Sequence, residues 1–259
     1  ITDMSQPSAP ANVSISQFDG YSYHENDLVN ITRLGRRWFG EQFDFTEEQS
    51  FDFNIPNIVT SAPVNMYIYA AAISSTTTSM SVKANNESVG TLNFSAIGGS
   101  TKADTATINT NIISAENIRI TLNYNNNGVP DSKGFLDYIL LKSKRNLTGY
   151  NKQFVFQYDA SASGNQIGEY QITNAANIKK VWDITDIYNV KQAVNNNQST
   201  FTFKANFGSL KKYIAVDAND YYTPSTDSRT RVVNQNLKGT IFNDDQGQFK
   251  DIDYLIITP

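Results

Sequence analysis

Few residue types in this sequence could support nucleophilic or zinc chemistry. His24 is the only histidine, it adjoins Glu25 in a polar stretch, and there is no cysteine. A Ser-His-Asp or Cys-His arrangement would have to use His24. The usual zinc sites draw three or four ligands mainly from histidine and cysteine. The sequence therefore lacks the residues for a cysteine nucleophile or a usual zinc site, and favours a structural role for His24.

Carboxylates are the remaining acid–base candidates. Glu41, Asp137, Asp183 and Asp186 lie close to aromatic residues, as glycosidase pairs often do. An Asp beside strand aromatics is more often a turn or edge residue, so a carboxylate-pair hydrolase is the less favoured hypothesis.

Two acidic pairs could hold a structural calcium ion through oxygen ligands. These are Asp217 with Asp220, and Asp244 with Asp245. Neither pair has the spacing of an EF-hand loop, so solvated loop acids are the favoured interpretation. No Gly-rich phosphate loop follows a strand. We therefore expect no cofactor.

Aromatic residues offer a different kind of site. Trp38, Trp182, Tyr221 and Tyr222 could form a platform on which a sugar stacks, although aromatics in β-sandwiches more often fill the core. The run from Tyr221 to Pro224 could also be an exposed interface patch. Trp38, Tyr221, Tyr222 and Pro224 are therefore the predicted interface or ligand-stacking residues.

Composition narrows the class of partner. The 21 Lys and Arg against 25 Asp and Glu give a net charge of −4 without a basic cluster, which argues against nucleic-acid binding. No apolar run approaches the length of a membrane span, so we expect no direct insertion into a membrane.

Alternating patterns indicate strands throughout. Phe51, Phe53 and Ile55 lie on one face of a strand, and Met66–Ala72 and Gly134–Leu141 are more apolar strands. Strands at this spacing, separated by Asn- and Gly-rich turns, predict an all-β fold of antiparallel sandwiches or jelly rolls. One short helix is predicted from Asp186 to Val194.

The strands divide into two groups. We predict a linker over residues 1–19, a first β-sandwich domain over 20–149 and a second over 150–250. Residues 251–259 contain the apolar run Tyr254–Ile257, which is typical of a strand covered on both faces in a parallel sheet. They are expected to be the first strand of an α/β domain that the sequence does not include. The alternative is a last strand inside the preceding sandwich.

Six stretches together resemble one family, the gingipain-like (C25-type) cysteine peptidase and sortase of the bacterial type IX secretion system, the PorU family. The stretches are Tyr23–Leu28, Leu34–Phe43, Gly134–Ile139, Val181–Thr185, Asn234–Leu237 and Asp253–Pro259. The resemblance implies β domains just upstream of a caspase-like peptidase domain. That enzyme removes C-terminal sorting domains from cargo and attaches the cargo to surface lipopolysaccharide, using a cysteine and a histidine.

No position of this sequence can receive those two catalytic roles, because cysteine is absent and His24 lies outside the peptidase part. The favoured hypothesis is therefore a non-catalytic scaffold that docks the peptidase domain. The resemblance also implies a bacterial cell-surface location, with secreted cargo and an outer-membrane β-barrel shuttle protein as further partners. The alternatives are a carbohydrate-binding module for surface polysaccharide and an enzyme built on carboxylates.

Overall fold

The computed structural model describes residues 1–31, 37–98, 102–225 and 248. The chain divides into two compact units, Ile1–Tyr221 and Tyr222–Pro259. All strands given below belong to the first unit. The predicted strand over 251–259 and the stretch Asn234–Leu237 lie outside the described residues, as do Asp244 and Asp245.

The described residues of the first unit form seventeen strands. They are β1 (Thr2–Asp3), β2 (Val13–Ile15), β3 (Gln17–Glu25), β4 (Gln42–Phe43), β5 (Glu48–Asn54), β6 (Val64–Ile73), β7 (Thr78–Ala84), β8 (Glu87–Phe94), β9 (Asp104–Ile112), β10 (Asn117–Asn125), β11 (Lys133–Asn146), β12 (Phe154–Gln157), β13 (Ile167–Ile172), β14 (Ile178–Asp183), β15 (Lys191–Val194), β16 (Phe201–Asn206) and β17 (Lys212–Asp217). Two 3-10 turns, Asp159–Ala162 and Ala218–Asp220, are the only helical elements in the described part of the chain. Neither of these two helical turns is long and apolar enough to span a membrane.

One large sheet runs through the whole unit. Its strand order is β1-β15-β14-β17-β12-β3-β11-β6-β9, with β4 also paired to β11. A four-stranded sheet (β5-β10-β7-β8) and a three-stranded sheet (β16-β13-β2) accompany it. All neighbours are antiparallel except β1 with β15 and β2 with β13.

The first core lies between the four-stranded sheet and one half of the large sheet. Alternate residues of β6 and β11 point into it, including Met66, Ile68 and Leu141, each fully buried. Ile120 and Leu122 of β10 close it from the other side. The period-two pattern therefore sends one face of each strand inward, as the sequence indicates.

The second core is rich in aromatic rings. Phe156 of β12 lies 5.3 Å from Tyr213 and 6.4 Å from Phe203, measured between ring centroids. Tyr170 stacks on Phe203 at 4.9 Å with an interplanar angle of 5°. Rings at these distances add attraction beyond the area that they bury.

The all-β, sandwich-type fold class is confirmed, with one addition: the two sandwiches share a single sheet. Strand β3 pairs along its whole length with β11 of the first core and touches β12 of the second at Gln157. The predicted linker over residues 1–19 is wrong for its last part, because β2 and the start of β3 lie there. Ile15 and Phe18 are buried in the second core, so their apolar side chains hold this segment in place.

Asparagines form many of the turns. Among the described residues, seven asparagines have positive φ, a conformation that Asn tolerates better than most residues. Asn85 and Asn86, with φ of 49° and 72°, make the two-residue connection between β7 and β8, as expected for a type I′ hairpin. The Asn-rich composition is thus used in chain reversals.

The short helix predicted from Asp186 to Val194 is wrong. The Asp186 carboxylate instead accepts hydrogen bonds from the backbone N–H of Tyr188 at 3.0 Å and from the Asn189 amide at 2.6 Å. These bonds close a turn, and β15 follows at Lys191. A side-chain oxygen that can cap a helix can equally close an Asx turn.

Candidate functional site

The outer face of the large sheet, opposite the first core, carries a group of tyrosines. Strand register places its side chains in three rows across β9, β6, β11 and β3. The rows are Thr107–Tyr69–Tyr138–Glu25, Asn109–Tyr67–Leu140–Tyr23 and Asn111–Asn65–Lys142–Tyr21. We call the five tyrosines of these rows the tyrosine face. Tyr23 is 60% exposed and Tyr21 is 38% exposed, so aromatic surface meets solvent here.

Three of these rings form a ladder. Tyr138 lies 5.8 Å from Tyr67 and 6.2 Å from Tyr69, nearly parallel to both. The guanidinium of Arg37 lies over the Tyr69 ring, 4.6 Å from its centroid, and donates to the Tyr69 hydroxyl. Arg37 Nε also lies 3.9 Å from Asp137 Oδ2. Burial raises the pKa of Asp137, and Arg37 opposes this effect.

A cleft opens beside the tyrosine face. Strands β3 and β12 pair at one position only, Asp19 with Gln157, and then diverge. The resulting cavity of about 390 Å³ is lined by residues of three strands: Asp19, Tyr21, Tyr23, Val155, Phe156, Gln157 and Lys212. The cleft therefore lies where the two halves of the sheet meet.

Two ion pairs fix one wall of the cleft. Lys144 Nζ lies 2.7 Å from Asp19, a carboxylate that is almost fully buried. Lys142 Nζ donates to Asp159 at 2.5 Å, and the Tyr21 hydroxyl donates to the same carboxylate. Burial alone would raise the pKa of Asp159, but the hydrogen bonds from Lys142 and Tyr21 outweigh burial and lower it. The charges at this wall are thus largely compensated within the protein.

His24 has a structural environment. Its Nε2 lies 2.8 Å from Glu41 Oε1, and its ring lies 4.5 Å from that of Phe51. Asn26 donates to the same Glu41 oxygen at 2.7 Å. The second oxygen, Glu41 Oε2, is buried without a hydrogen-bond partner among the described residues. The contacts of His24 are those of a residue that anchors the Glu41 loop to the sheet.

The four carboxylates considered for hydrolysis do not form one group. Asp137 lies on β11 and Asp183 on β14, and three strands separate these two in the sheet. At about 4.8 Å between neighbouring strands, they are roughly 19 Å apart, too far for one glycosidic bond. Asp183 accepts the backbone N–H of Thr185, as expected of a turn residue.

The acidic pair near the end of the first unit is engaged by the protein. Asp217 accepts from the backbone N–H of Asn219 at 2.9 Å. Asp220 accepts from Lys152 Nζ at 2.8 Å and from the backbone N–H of Gln153 at 2.9 Å. Among the described residues, no group of three or more acidic or histidine side chains could hold a metal ion.

The aromatic residues predicted from sequence lie in separate places. Trp38 is 37% exposed beside the buried Phe39, and Trp182 lies on β14, with Lys180 5.8 Å from its ring centroid. Tyr221 is 57% exposed at the end of the first unit. Tyr222, 87% exposed, and the exposed Pro224 belong to the second unit. Within the described residues no ring contact joins these aromatics, and their role as an interface stays a prediction.

Sequence reasoning missed the tyrosine face, although a signal was present. Tyr21 and Tyr23 alternate in one strand, and Tyr67 and Tyr69 alternate in another. The run Met66–Ala72 has no polar residue at alternate positions, and such a run is typical of a strand that is buried on both faces. Here β6 is buried on one face and carries tyrosines on the other.

Comparison with known proteins identifies a related fold. No protein-family model and no curated protein matches the sequence. Among solved structures, dimeric latent PorU from Porphyromonas gingivalis aligns with a TM-score of 0.70 and 17% identity over 83% of this chain. The chain has the fold of a PorU β region. It spans only 22% of the length of that PorU chain.

Two carbohydrate-binding modules of family 35 also align. The module from Cellvibrio japonicus is 14% identical over 54% of this chain and 94% of its own, with a TM-score of 0.31. The module from Clostridium thermocellum is 14% identical over 51% of this chain and 98% of its own, with a TM-score of 0.30. At these TM-scores the two modules give no indication of the function of this chain.

Proposed function

We propose that this chain is the non-catalytic β-sandwich portion of a type IX secretion sortase of the PorU type, and that it serves as a scaffold that docks the peptidase domain. The observation that carries the proposal is the PorU fold, which covers most of the chain. The sequence stretches that resemble the PorU family point in the same direction.

The residue types present in the chain support a role other than catalysis of the peptidase reaction. The sequence contains no cysteine, and His24 is bound to Glu41. The gingipain-like reaction implied by the family resemblance requires a cysteine nucleophile. That nucleophile would belong to the peptidase domain of the same polypeptide.

Exposed aromatics are the proposed docking residues. Tyr221 and Tyr222 expose most of their surface, and rings of this kind are enriched at protein interfaces. Trp38 and Pro224 complete the proposed set. By the same resemblance we propose a location at the bacterial cell surface, with secreted cargo and an outer-membrane β-barrel shuttle protein as further partners.

A binding experiment tests the docking role. The purified chain is titrated by biolayer interferometry with the gingipain-like peptidase domain of a PorU-type sortase. We expect binding that weakens at least tenfold in the double variant Tyr221→Ser, Tyr222→Ser. Tyr188→Ser is the matched control, because Tyr188 is a similarly exposed tyrosine on the β14–β15 turn (90% exposed).

Two outcomes would count against the proposal. One is the absence of any binding to the peptidase domain, with wild type folded as judged by circular dichroism. The other is hydrolysis of casein or of chromogenic glycosides by the purified chain at a rate well above buffer. Such hydrolysis would instead favour the hypothesis of an enzyme built on carboxylates.

A further inference from the structure

We propose that the cleft between β3 and β12, together with the adjoining tyrosine face, binds an oligosaccharide of neutral or acidic sugars. None of the residues of this site is among the proposed docking residues. It depends on the geometry of the large sheet and is independent of the sortase assignment.

The size of the cleft favours a small ligand over a protein. Its volume of about 390 Å³ lies within the range of small-molecule sites, roughly 300–1,000 Å³. The opening results from the early divergence of β3 and β12, so it is built into the backbone. A ligand seated there would lie along the line where the two halves of the sheet meet.

The aromatic lining suits the faces of sugar rings. Tyr23 is 60% exposed and makes no ring contact with any described residue, so its ring faces are accessible. The negative face of an aromatic ring attracts the C–H groups that cover one side of a pyranose. Tyr67 lies two strands away in the same row, roughly 10 Å from Tyr23 at the usual strand spacing. Two rings at this separation could contact successive parts of one oligosaccharide.

Amide side chains flank the rings. Asn65 donates to Asn109 at 2.8 Å and to Asn111 at 3.3 Å, and no described residue accepts from the amide N–H groups of Asn109 and Asn111. At the cleft, Gln157 donates one N–H to Asp159 at 2.8 Å. An amide offers two donors and one acceptor, which matches pairs of sugar hydroxyls.

The charges select the class of ligand. Asp19 is paired with Lys144, and Asp159 is paired with Lys142. Lys212 has no ion-pair partner among the described residues and lines the cleft. At the cleft the two carboxylates are compensated and one amine is unpaired, which suits a neutral or acidic sugar. Glu25, at the other end of the first row, has no ion-pair partner among the described residues, so an acidic sugar would be held at the cleft end of the face.

Calorimetric titration of the full chain tests the site. The probes are cellohexaose, mannohexaose and hexagalacturonate, each up to several millimolar. We expect at least one of them to bind with a dissociation constant of about 1 mM or lower. Tyr23→Ala should weaken that binding at least tenfold, since it removes an exposed ring without touching a core. Val155→Phe should also weaken it, because the larger ring fills the cleft from its lining. Tyr188→Ala should bind like wild type.

The proposal is overturned if none of the three probes binds, or if Tyr23→Ala and Val155→Phe both bind as wild type does. It is also overturned if light scattering shows two copies of the chain joined through this face, with the association lost in Tyr23→Ala. Loss of sugar binding with retained binding to the peptidase domain would separate this site from the docking function. Thermal unfolding of each variant confirms that it is folded.

Discussion

Ionisation of Tyr170 should weaken the fold at alkaline pH. The ring is 1% exposed, stacks on Phe203 and lies 5.2 Å from Tyr213. Burial raises the pKa of Tyr170 from 10.0 to about 12. In the unfolded chain the phenol ionises near pH 10, whereas in the folded chain it stays protonated until about pH 12. The stability that the neutral phenol contributes is therefore complete below pH 10 and is lost as pH rises through 12.

The size of the effect follows from linkage. One pKa unit corresponds to about 1.4 kcal/mol, so this tyrosine alone should cost the folded state about 1 kcal/mol at pH 11 and about 2 kcal/mol at pH 12. Burial also raises the pKa of Tyr213, which adds to the loss. A few kcal/mol is a large part of the stability of a typical domain.

The assay is urea unfolding followed by far-ultraviolet circular dichroism between pH 8 and pH 12, for wild type and Tyr170→Phe. Phenylalanine keeps the ring but cannot ionise, so the free energy of unfolding of the variant should fall less steeply above pH 10. Tyr188→Phe is the control, since a ring that is 90% exposed should leave the slope unchanged. Parallel pH curves for wild type and Tyr170→Phe would refute the reasoning.

Three further predictions concern packing and charge. Phe156→Ala should lower the free energy of unfolding by about 3–5 kcal/mol, because Phe156 is 1% exposed among five other rings. The control is Val155→Ala, on the outer face of the same strand, which should cost less than about 1 kcal/mol. Equal losses in the two variants would contradict the assigned core. Gly149→Ala should lower the free energy of unfolding by about 1–3 kcal/mol, measured by thermal unfolding, because a Cβ there would lie 2.4 Å from the backbone oxygen of Asn174. Gly98→Ala is the control, since its Cβ would meet nothing within 4 Å. An unchanged stability of Gly149→Ala would show that the loop has room for the methyl group. Because the pKa of Asp159 is lowered in the folded chain, its ionised form stabilises the fold above about pH 4, and this contribution is lost as pH falls below that value. In Lys142→Met the free energy of unfolding should therefore fall less steeply at acid pH. An unchanged slope would mean that the ion pair contributes nothing to stability.

Much of the strand content could be predicted from alternation. In β5 and β10 apolar residues recur at every second position, and the structure buries them on one face. Turn chemistry was equally local: Asn85 and Asn86 both favour the left-handed conformation that a tight hairpin needs. Local patterns of this kind depend on neighbouring residues and on nothing else.

Long-range pairing could not be predicted in the same way. Phe18 is an isolated apolar residue in sequence, and only the fold shows that it packs against Phe154 at 5.9 Å. The cleft likewise depends on where β3 and β12 diverge, which no local signal encodes. Tyr221 and Tyr222 are exposed, but a binding partner is not a local property of the sequence either, so their role as an interface stays a prediction.

The position of β3 in the middle of the large sheet has a consequence for how the chain folds during synthesis. This strand is synthesised before its partners, which are Tyr138–Asn146 of β11 and Gln157 of β12. More than a hundred residues must be made before its backbone N–H and C=O groups can be paired. Contacts of such sequence separation are slow to form, and until they form, β3 is an open edge that a chaperone would have to shield from other nascent chains.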